Sequence, residues 1–348
     1  MSTTALRTSP PDAASLRRPA AVRLAWLGAL AALILVLVGA SVALGVRGVS
    51  LDDIIAGLGG STGTVSEAAV VSRLPRTALA VLAGAALALS GAAIQAVTRN
   101  PLGDPGILGI TSGASLAVVI GIAFFAVTNP YVTLTLAVVG SAGAAVFVYA
   151  IGSLGTGGAT PLKLALAGAA TAAALSSLVS AILLPRVDVL ENFRFWQIGG
   201  VSGATWDRIA VVLPVLAVGA LICLATARGM NSLALGDDLA ASLGEHVGRT
   251  RALAALGAVI LCGTATAVTG PIAFVGLVVP HFCRMLVGTD HRWLLPFSAL
   301  AGSALLLGAD VIGRLVARPG EVPVGIVTAV IGAPFFIWLL RRRRVREL

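Results

Sequence analysis

Long uncharged stretches alternate with short charged segments along the whole chain. Asp, Glu, Lys and Arg are absent from eight stretches: 24–46, 77–98, 105–162, 164–185, 209–227, 252–280, 293–309 and 322–340. An apolar helix needs about 20 residues to cross a bilayer core of about 30 Å. The stretch 105–162 is long enough for two crossings, and the stretch 252–280, which runs on to Arg284, is also predicted to hold two helices. They contain helix breaks at Thr128-Asn129-Pro130 and at Gly270-Pro271.

The pattern therefore predicts ten membrane helices in an all-α, polytopic bundle. Their predicted ranges are 22–46, 74–98, 107–127, 131–153, 162–184, 207–227, 248–269, 272–288, 293–316 and 323–340. The predicted domains are an N-terminal tail (1–21), a membrane domain (22–340) and a basic C-terminus (341–348). Composition agrees, because 57% of the residues are hydrophobic and 11% are charged, whereas soluble domains carry about 25% charged residues.

The basic residues predict the orientation of the bundle. An even number of crossings puts both termini on one side. With both ends inside the cell, 16 of the 24 Lys and Arg residues lie on the inner side, in agreement with the positive-inside rule. The chain is expected in the cytoplasmic membrane with both termini cytoplasmic. The formal net charge of +9 does not indicate nucleic-acid binding, because the charges lie at helix ends rather than on one face.

Motifs for nucleotide and metal chemistry are missing from the sequence. Lys163 is the only lysine and it belongs to no G-x4-G-K-[ST] motif, so the chain cannot hold a nucleotide in a P-loop. No H-E-x-x-H occurs, and the three cysteines have no metal-ligand spacing. We therefore expect no catalytic residue, metal or cofactor in this chain, and we expect its energy to come from a partner.

Carboxylates are nearly absent from the predicted helices. Asp310 is the one acidic residue in their interior, and its spacing from Arg314 predicts an ion pair along the helix surface. Ion-coupled carriers need buried ionisable groups, so the sequence disfavours such a carrier without excluding it.

The inner loop 228–248 has the pattern of a docking element. Leu235, Leu239 and Leu243 lie on one helical face, and Gly236 divides the loop into two short helices, the second ending at Gly244. Such a leucine stripe outside the membrane needs a surface to cover it. Two interpretations remain open, docking on a separate protein and packing against the underside of the bundle.

An internal repeat links two parts of the chain. The segment Gly84–Gly91 resembles Gly263–Gly270, and prolines follow ten residues later at Pro101 and Pro280. Related halves are a common plan among transporters, and the abundant small residues predict close helix packing.

Several ordered motifs resemble the FecCD-type permease subunits of type II ABC importers, which take up iron–siderophore complexes, haem and vitamin B12. The motifs are Arg73-Leu-Pro-Arg76, Arg99-Asn-Pro-Leu-Gly-Asp-Pro-Gly106, Thr269-Gly-Pro-Ile-Ala-Phe274, Gly308-Ala-Asp310 and Glu321-Val-Pro-Val-Gly325. The resemblance covers about residues 20–345 and implies the helix bundle of a vitamin B12 importer permease.

The resemblance also implies roles for particular residues and partners. It implies a second permease subunit, identical or related, two cytoplasmic ATPase subunits that hold ATP and Mg²⁺, and an extracytoplasmic substrate-binding protein. Three groups of residues match family positions: for docking of the binding protein Arg73, Arg76 and Arg314; for ATPase coupling Ser232, Leu233, Leu235, Gly236, Asp237, Leu239, Leu243 and Gly244; and for a cytoplasmic gate Thr156, Thr160 and Pro161. An alternative for the arginines is extension to lipid headgroups.

These observations predict a non-enzymatic permease subunit for a ferric siderophore. Haem or cobalamin transport by the same family is an alternative. An ion-coupled secondary carrier and a non-transporting membrane scaffold are the two other function classes that the sequence leaves open.

Overall fold

The computed structural model describes residues 20–155 and 160–344, all helical or in connecting turns. The helices are α1 Ala20–Ala43, α2 Leu51–Leu58, α3 Val65–Val97, α4 Ile110–Phe125, α5 Pro130–Ser153, α6 Pro161–Leu183, α7 Val187–Gln197, α8 Trp206–Ala225, α9 Ala227–Leu233, α10 Asp237–Ser242, α11 Val247–Thr269, α12 Val275–Val287, α13 His291–Val316 and α14 Val324–Arg344. A short 3₁₀ turn, Pro105–Leu108, precedes α4.

All ten predicted helices are present, but their lengths differ. Within the described residues, seven are long and apolar enough to cross a membrane, namely α1, α3, α5, α6, α8, α11 and α13. Three are shorter apolar segments, Ile110–Phe125, Val275–Val287 and Val324–Trp338. The prediction of about ten spanning helices is therefore slightly off. The all-α membrane fold is confirmed.

Two of the short helices begin inside the bundle rather than at its surface. Gly109, which precedes α4, lies against Thr171, ten residues into α6. The first turn of α12 at Gly276 contacts Gly91 in the interior of α3. The non-helical segments before them run through the protein, where neighbouring helices cover their backbone groups. Irregular backbone at membrane depth is stable only when it is buried in this way.

The two faces of the bundle are marked by charged residues on and after α3. Arg73 and Arg76 are the ninth and twelfth residues of this helix and Arg99 follows its last turn, with an uncharged stretch (77–98) between them. At 1.5 Å per residue this stretch spans about 33 Å, close to the thickness of a bilayer core. We call the face of the bundle around Arg73 and Arg76 the arginine-cluster face. The opposite face lies around Arg99, which pairs with Asp237 of the loop 228–248. We call this loop the coupling loop and this face the coupling-loop face.

The ends of the described chain lie on the same face. Near the start of α1, the Arg23 guanidinium stacks over the ring of Trp293 at the start of α13. Helix α14 begins at the opposite, arginine-cluster face, where Gly313 lies against Val322, and its 21 residues carry it back across about 32 Å. Both ends of the range 20–344 therefore belong to the coupling-loop face.

The packing of the helices agrees with the two halves predicted from the repeat. Helix α3 packs against α12 and α13, and α11 packs against α4 and α5. The repeated segments lie in α3 and α11, so each of these two helices contacts the two membrane helices that follow the other one in the sequence. Helices α3, α11 and α13 form the buried centre, whereas α1, α5, α6 and α8 present most of their surface outward.

Glycines allow the closest crossings in this centre. A Cβ atom at Gly84 would overlap the carbonyl oxygen of Gly302 and lie 2.9 Å from the Cα atom of Ser303. Gly113 and Gly140 make the same kind of contact between α4 and α5. Small residues permit such backbone approach in membrane bundles. The close packing expected for Gly84 and Gly140 is confirmed.

We predict that Gly84→Leu destabilises the bundle because its side chain would push α3 away from α13. Overpacking of a core costs about 1–3 kcal/mol, which should lower the midpoint of thermal unfolding of the purified protein in detergent. Gly143→Leu is the matched control, since no atom lies within 4 Å of a Cβ at that exposed position. Equal midpoints for the two variants would contradict a packing role for Gly84.

Candidate functional site

At the arginine-cluster face, the end of α1 is held by side chains from other helices. Arg73 donates from Nη1 to the carbonyl oxygens of Val42 at 2.8 Å and Ala43 at 3.2 Å, and from Nη2 to that of Arg47 at 2.7 Å. The last carbonyls of a helix have no partner within the helix. Arg73 of α3 therefore supplies hydrogen bonds that α1 cannot make for itself.

Arg314 of α13 completes this arrangement. Its Nη1 donates to the carbonyl oxygens of Ser41 at 2.9 Å and Leu44 at 3.1 Å, and its Nη2 donates to the Ser41 hydroxyl at 2.7 Å. Arg318 Nη2 adds a hydrogen bond of 2.6 Å to the carbonyl oxygen of Gly45. Three arginines from outside α1 thus cap its C-terminal end, where the helix dipole also favours cations.

Asp310 links two of these arginines inside the bundle. Its carboxylate accepts from Arg76 Nη2 at 2.8 Å and Nε at 3.0 Å, and pairs with Arg314 Nη2 at 3.0 Å. Its side chain is 1% exposed. The predicted i, i+4 pair with Arg314 is confirmed, and it lies inside the bundle. The pair is buried because Arg76, from a distant part of the sequence, packs over it.

Arg76 also reaches a second carboxylate nearer to the surface. Its Nη1 donates to Glu321 Oε2 at 2.8 Å, and the Glu321 side chain is 35% exposed. The arginine cluster comprises Arg73, Arg76, Arg314 and Arg318 with two acidic partners, Asp310 and Glu321. The cluster therefore carries excess positive charge.

Burial differs among the three arginines predicted to dock a binding protein. Arg73 is 6% exposed and Arg314 is 2% exposed, whereas the Arg76 side chain is 13% exposed. All three donate hydrogen bonds to other residues of the bundle. They do not extend to lipid headgroups, as the alternative interpretation required. Arg47 and Arg318 are exposed beside these arginines, and sequence reasoning selected neither of them.

The loop 228–248 forms two short helices, α9 and α10, as predicted. Gly236 separates them with φ of 106°, and Gly244 follows the second with φ of 84°, a region that glycine enters at no steric cost. Ser232 Oγ bonds the Arg228 carbonyl oxygen inside α9. The loop therefore has the predicted local structure.

The leucine stripe of this loop points away from the bundle. Leu235, Leu239 and Leu243 are 56%, 50% and 65% exposed, whereas Leu233 is fully buried. Packing against the underside of the bundle therefore holds for Leu233 alone. The three exposed leucines form an uncovered apolar face at the end of the molecule.

Asp237, the first residue of α10, joins the loop to two core helices. Its carboxylate pairs with Arg251 of α11 at 2.9 Å and with Arg99, after α3, at 3.2 Å. The sequence analysis named Asp237 among the ATPase-coupling positions but did not find either arginine partner. Positions 99, 237 and 251 share no short motif, so only the fold brings them together.

Helix α9 has its own link to α13. Asn231 Nδ2 donates to Asp290 Oδ1 at 2.7 Å, and Asn231 Oδ1 accepts from the backbone N–H of His291 at 2.8 Å. Burial raises the pKa of Asp290, but the hydrogen bonds from Asn231 and from the Arg292 backbone outweigh it and hold that pKa below its ordinary value. The carboxylate therefore stays ionised and available to Asn231 at neutral pH.

The predicted gate segment is only partly visible. Thr160 caps α6, accepting from the Lys163 backbone N–H at 3.4 Å, and Pro161 is the first residue of that helix. Thr156 lies outside the described residues. A threonine cap followed by proline is a typical helix start.

The described residues contain no group of three or more His, Cys, Asp or Glu side chains placed to hold a metal ion. The polar chemistry at both faces consists of ion pairs and hydrogen bonds between helices.

Comparison with known proteins identifies the family. Residues 33–342 match the FecCD transport family. The ferric enterobactin transport system permease protein FepD of Escherichia coli is 49% identical over 273 residues, covering 78% of this chain and 81% of FepD. The probable siderophore transport system permease protein YfiZ of Bacillus subtilis is 42% identical, covering 89% and 93%. Permeases named for hemin and for cobalamin also match.

A solved structure has the same fold. It shows an inward-facing conformation of a metal-chelate type ABC transporter, with a TM-score of 0.80, 29% sequence identity, and coverage of 92% of this chain and 99% of that one. Since the family match spans most of the sequence and the relatives are membrane permeases rather than enzymes, the chain belongs to the FecCD transport family.

Proposed function

We propose that this chain is the membrane-spanning subunit of an ABC importer that carries a ferric siderophore across the cytoplasmic membrane. The observation that carries this proposal is the 49% identity to a permease named for ferric enterobactin transport. The similarity to a permease of Bacillus subtilis named for siderophore transport supports the same class of cargo.

The exposed leucines of the coupling loop support docking of separate ATPase subunits. An uncovered apolar stripe outside the membrane is characteristic of an interaction surface, and the chain has no P-loop of its own. In this proposal two cytoplasmic ATPases hold ATP and Mg²⁺, and a second permease subunit completes the pathway. ATP-driven closure pushes α9 and α10, and the segment with Thr156, Thr160 and Pro161 gates the inner end.

The arginine cluster supports docking of an extracytoplasmic substrate-binding protein. Its four arginines exceed its two carboxylates, and a net positive face attracts an acidic partner through its field even where individual guanidinium groups are buried. Arg73, Arg76 and Arg314 then act mainly by building and charging this face, while Arg318 lies exposed upon it.

Haem and cobalamin remain the second candidate cargoes. Both are named among the relatives of this chain. An ion-coupled carrier is less consistent with the geometry, because Asp310, the buried carboxylate of α13, already pairs with Arg76 and Arg314.

We predict ATP-dependent uptake by proteoliposomes that contain this chain, its ATPase partner and its binding protein. Radiolabelled ferric enterobactin is the first probe, with haemin and cobalamin in parallel. Uptake should require ATP on the ATPase side and should persist when ionophores collapse ion gradients. Uptake that follows an ion gradient without ATP would refute the proposal, and transport of haemin or cobalamin alone would replace the proposed cargo.

The proposed orientation predicts that two introduced cysteines are labelled from opposite sides of the membrane. Leu239→Cys, in the exposed stripe, should react with a membrane-impermeant maleimide in inside-out vesicles. Gly48→Cys, in an open position at the arginine-cluster face, should react in right-side-out vesicles. The vesicles contain the permease without ATPases, and the native cysteines, all buried, set the background. The reverse pattern would place the coupling loop outside the cell and contradict the proposal.

The docking proposal predicts charge effects of opposite sign at the arginine-cluster face. Glu321→Gln should strengthen association with the binding protein at low salt and Arg318→Gln should weaken it, each by about threefold, as expected for one partly exposed charge. High salt should remove both effects. Arg249→Gln, exposed at the other face, is the control. Effects of the same sign at positions 321 and 318 would contradict an electrostatic role.

A further inference from the structure

The start of α10 is held mainly by polar contacts. Of its six residues, Ala240 is the buried one. Asp237 provides the other anchor, with Arg251 Nη2 at 2.9 Å from Oδ1 and 3.1 Å from Oδ2. The Arg251 side chain is 8% exposed and that of Asp237 is 38% exposed, so the pair lies at the edge of the bundle with its arginine against the core. Few apolar contacts therefore hold α10, and its position depends on the carboxylate of Asp237.

The second partner of Asp237 has an unusual backbone. Arg99 adopts φ of 47° immediately after α3, a left-handed conformation that is uncommon for residues other than glycine. Its backbone N–H bonds the Ala96 carbonyl oxygen at 3.2 Å and closes the helix end. Its Nη2 lies 3.2 Å from Asp237 Oδ1. Backbone strain of this kind persists where the surrounding structure fixes it and is found at functional positions.

The two helices that Asp237 reaches lie in the centre of the bundle. Helix α3 packs against α11, α12 and α13, and α11 packs against α3, α5 and α8. Helix α3 also carries Arg73 and Arg76, which belong to the arginine-cluster face. If α10 moves, its ion pairs move Arg99 and Arg251. The movement therefore reaches α3 and α11, the two helices that contact most of the fold.

We propose that Asp237 is the positioning residue that transmits movement of the coupling loop to α3 and α11. This inference rests on the proposed function, in which ATPase subunits push on α9 and α10. In α10, Leu239 of the leucine stripe faces the partner. Asp237, on the other side of this helix, pairs with Arg99 and Arg251 of the bundle. Loss of the carboxylate should leave docking intact and interrupt transmission.

The test compares two adjacent aspartates in the complete complex with ATPases and binding protein in proteoliposomes. Asp237→Asn removes the charge with little change in shape. Asp238→Asn is the matched control, because Asp238 is exposed and has no ion pair among the described contacts. The measurements are complex assembly, basal ATP hydrolysis, its stimulation by the binding protein, and ferric enterobactin transported per ATP hydrolysed.

Asp237→Asn should still assemble with the ATPase subunits, because the exposed leucines rather than Asp237 face them. Its stimulation by the binding protein and its transport per ATP should fall about tenfold, a magnitude typical of coupling between distant sites. Asp238→Asn should match the wild type in every measurement. Asp237→Glu should recover most of the loss, because it restores the charge.

Three results would overturn the inference: transport per ATP in Asp237→Asn equal to that of Asp238→Asn, loss of assembly in Asp237→Asn alone, or no recovery in Asp237→Glu. The second result would make Asp237 part of the docking surface instead. A wild-type complex that responds to the binding protein but moves none of the three chelates would refute the proposed cargo, and the stimulation measurement would still decide the role of Asp237.

Discussion

The constraint that governs this molecule is that polar groups within a bilayer must find partners inside the protein. The carbonyl oxygens at the end of α1 meet this constraint through Arg73 and Arg314. A buried guanidinium group is costly without a counter-charge. Asp310 supplies this charge for Arg314 and for the neighbouring Arg76. A single network of hydrogen bonds and ion pairs thus ties α1, α3 and α13 together at one face.

The same constraint explains why irregular backbone occurs at membrane depth. The segments before α4 and α12 lie against α6 and α3, where Gly109, Gly91 and Gly276 allow close contact. Gln95 of α3 donates to the carbonyl oxygens of Gly276 at 3.1 Å and Leu277 at 3.3 Å. A side chain on a continuous helix thereby bonds carbonyl groups in the first turn of an interrupted one.

The sequence predicted the helices well because an uncharged stretch has only one stable form in lipid. It also predicted the division of the coupling loop, since Gly236 and Gly244 occur where the apolar periodicity breaks. The sequence did not predict which residues pair with the charged side chains. Asp310 was assigned to Arg314 because they are four residues apart, whereas Arg76 is 234 positions away. Arg99 and Arg251 were missed for the same reason, because ion pairs between helices depend on tertiary packing.

The position of the glycines within α3 has a mechanical consequence. Gly84 lies eight residues after Arg76 and Gly91 lies eight residues before Arg99, so the backbone crossings with α13 and α12 sit midway between the two charged ends. The helix backbones touch there, so this contact is the natural pivot for a tilt of α3. Each charged end lies about 17 Å from it. A tilt of about 5° about this pivot would move both ends by about 1.5 Å in opposite directions.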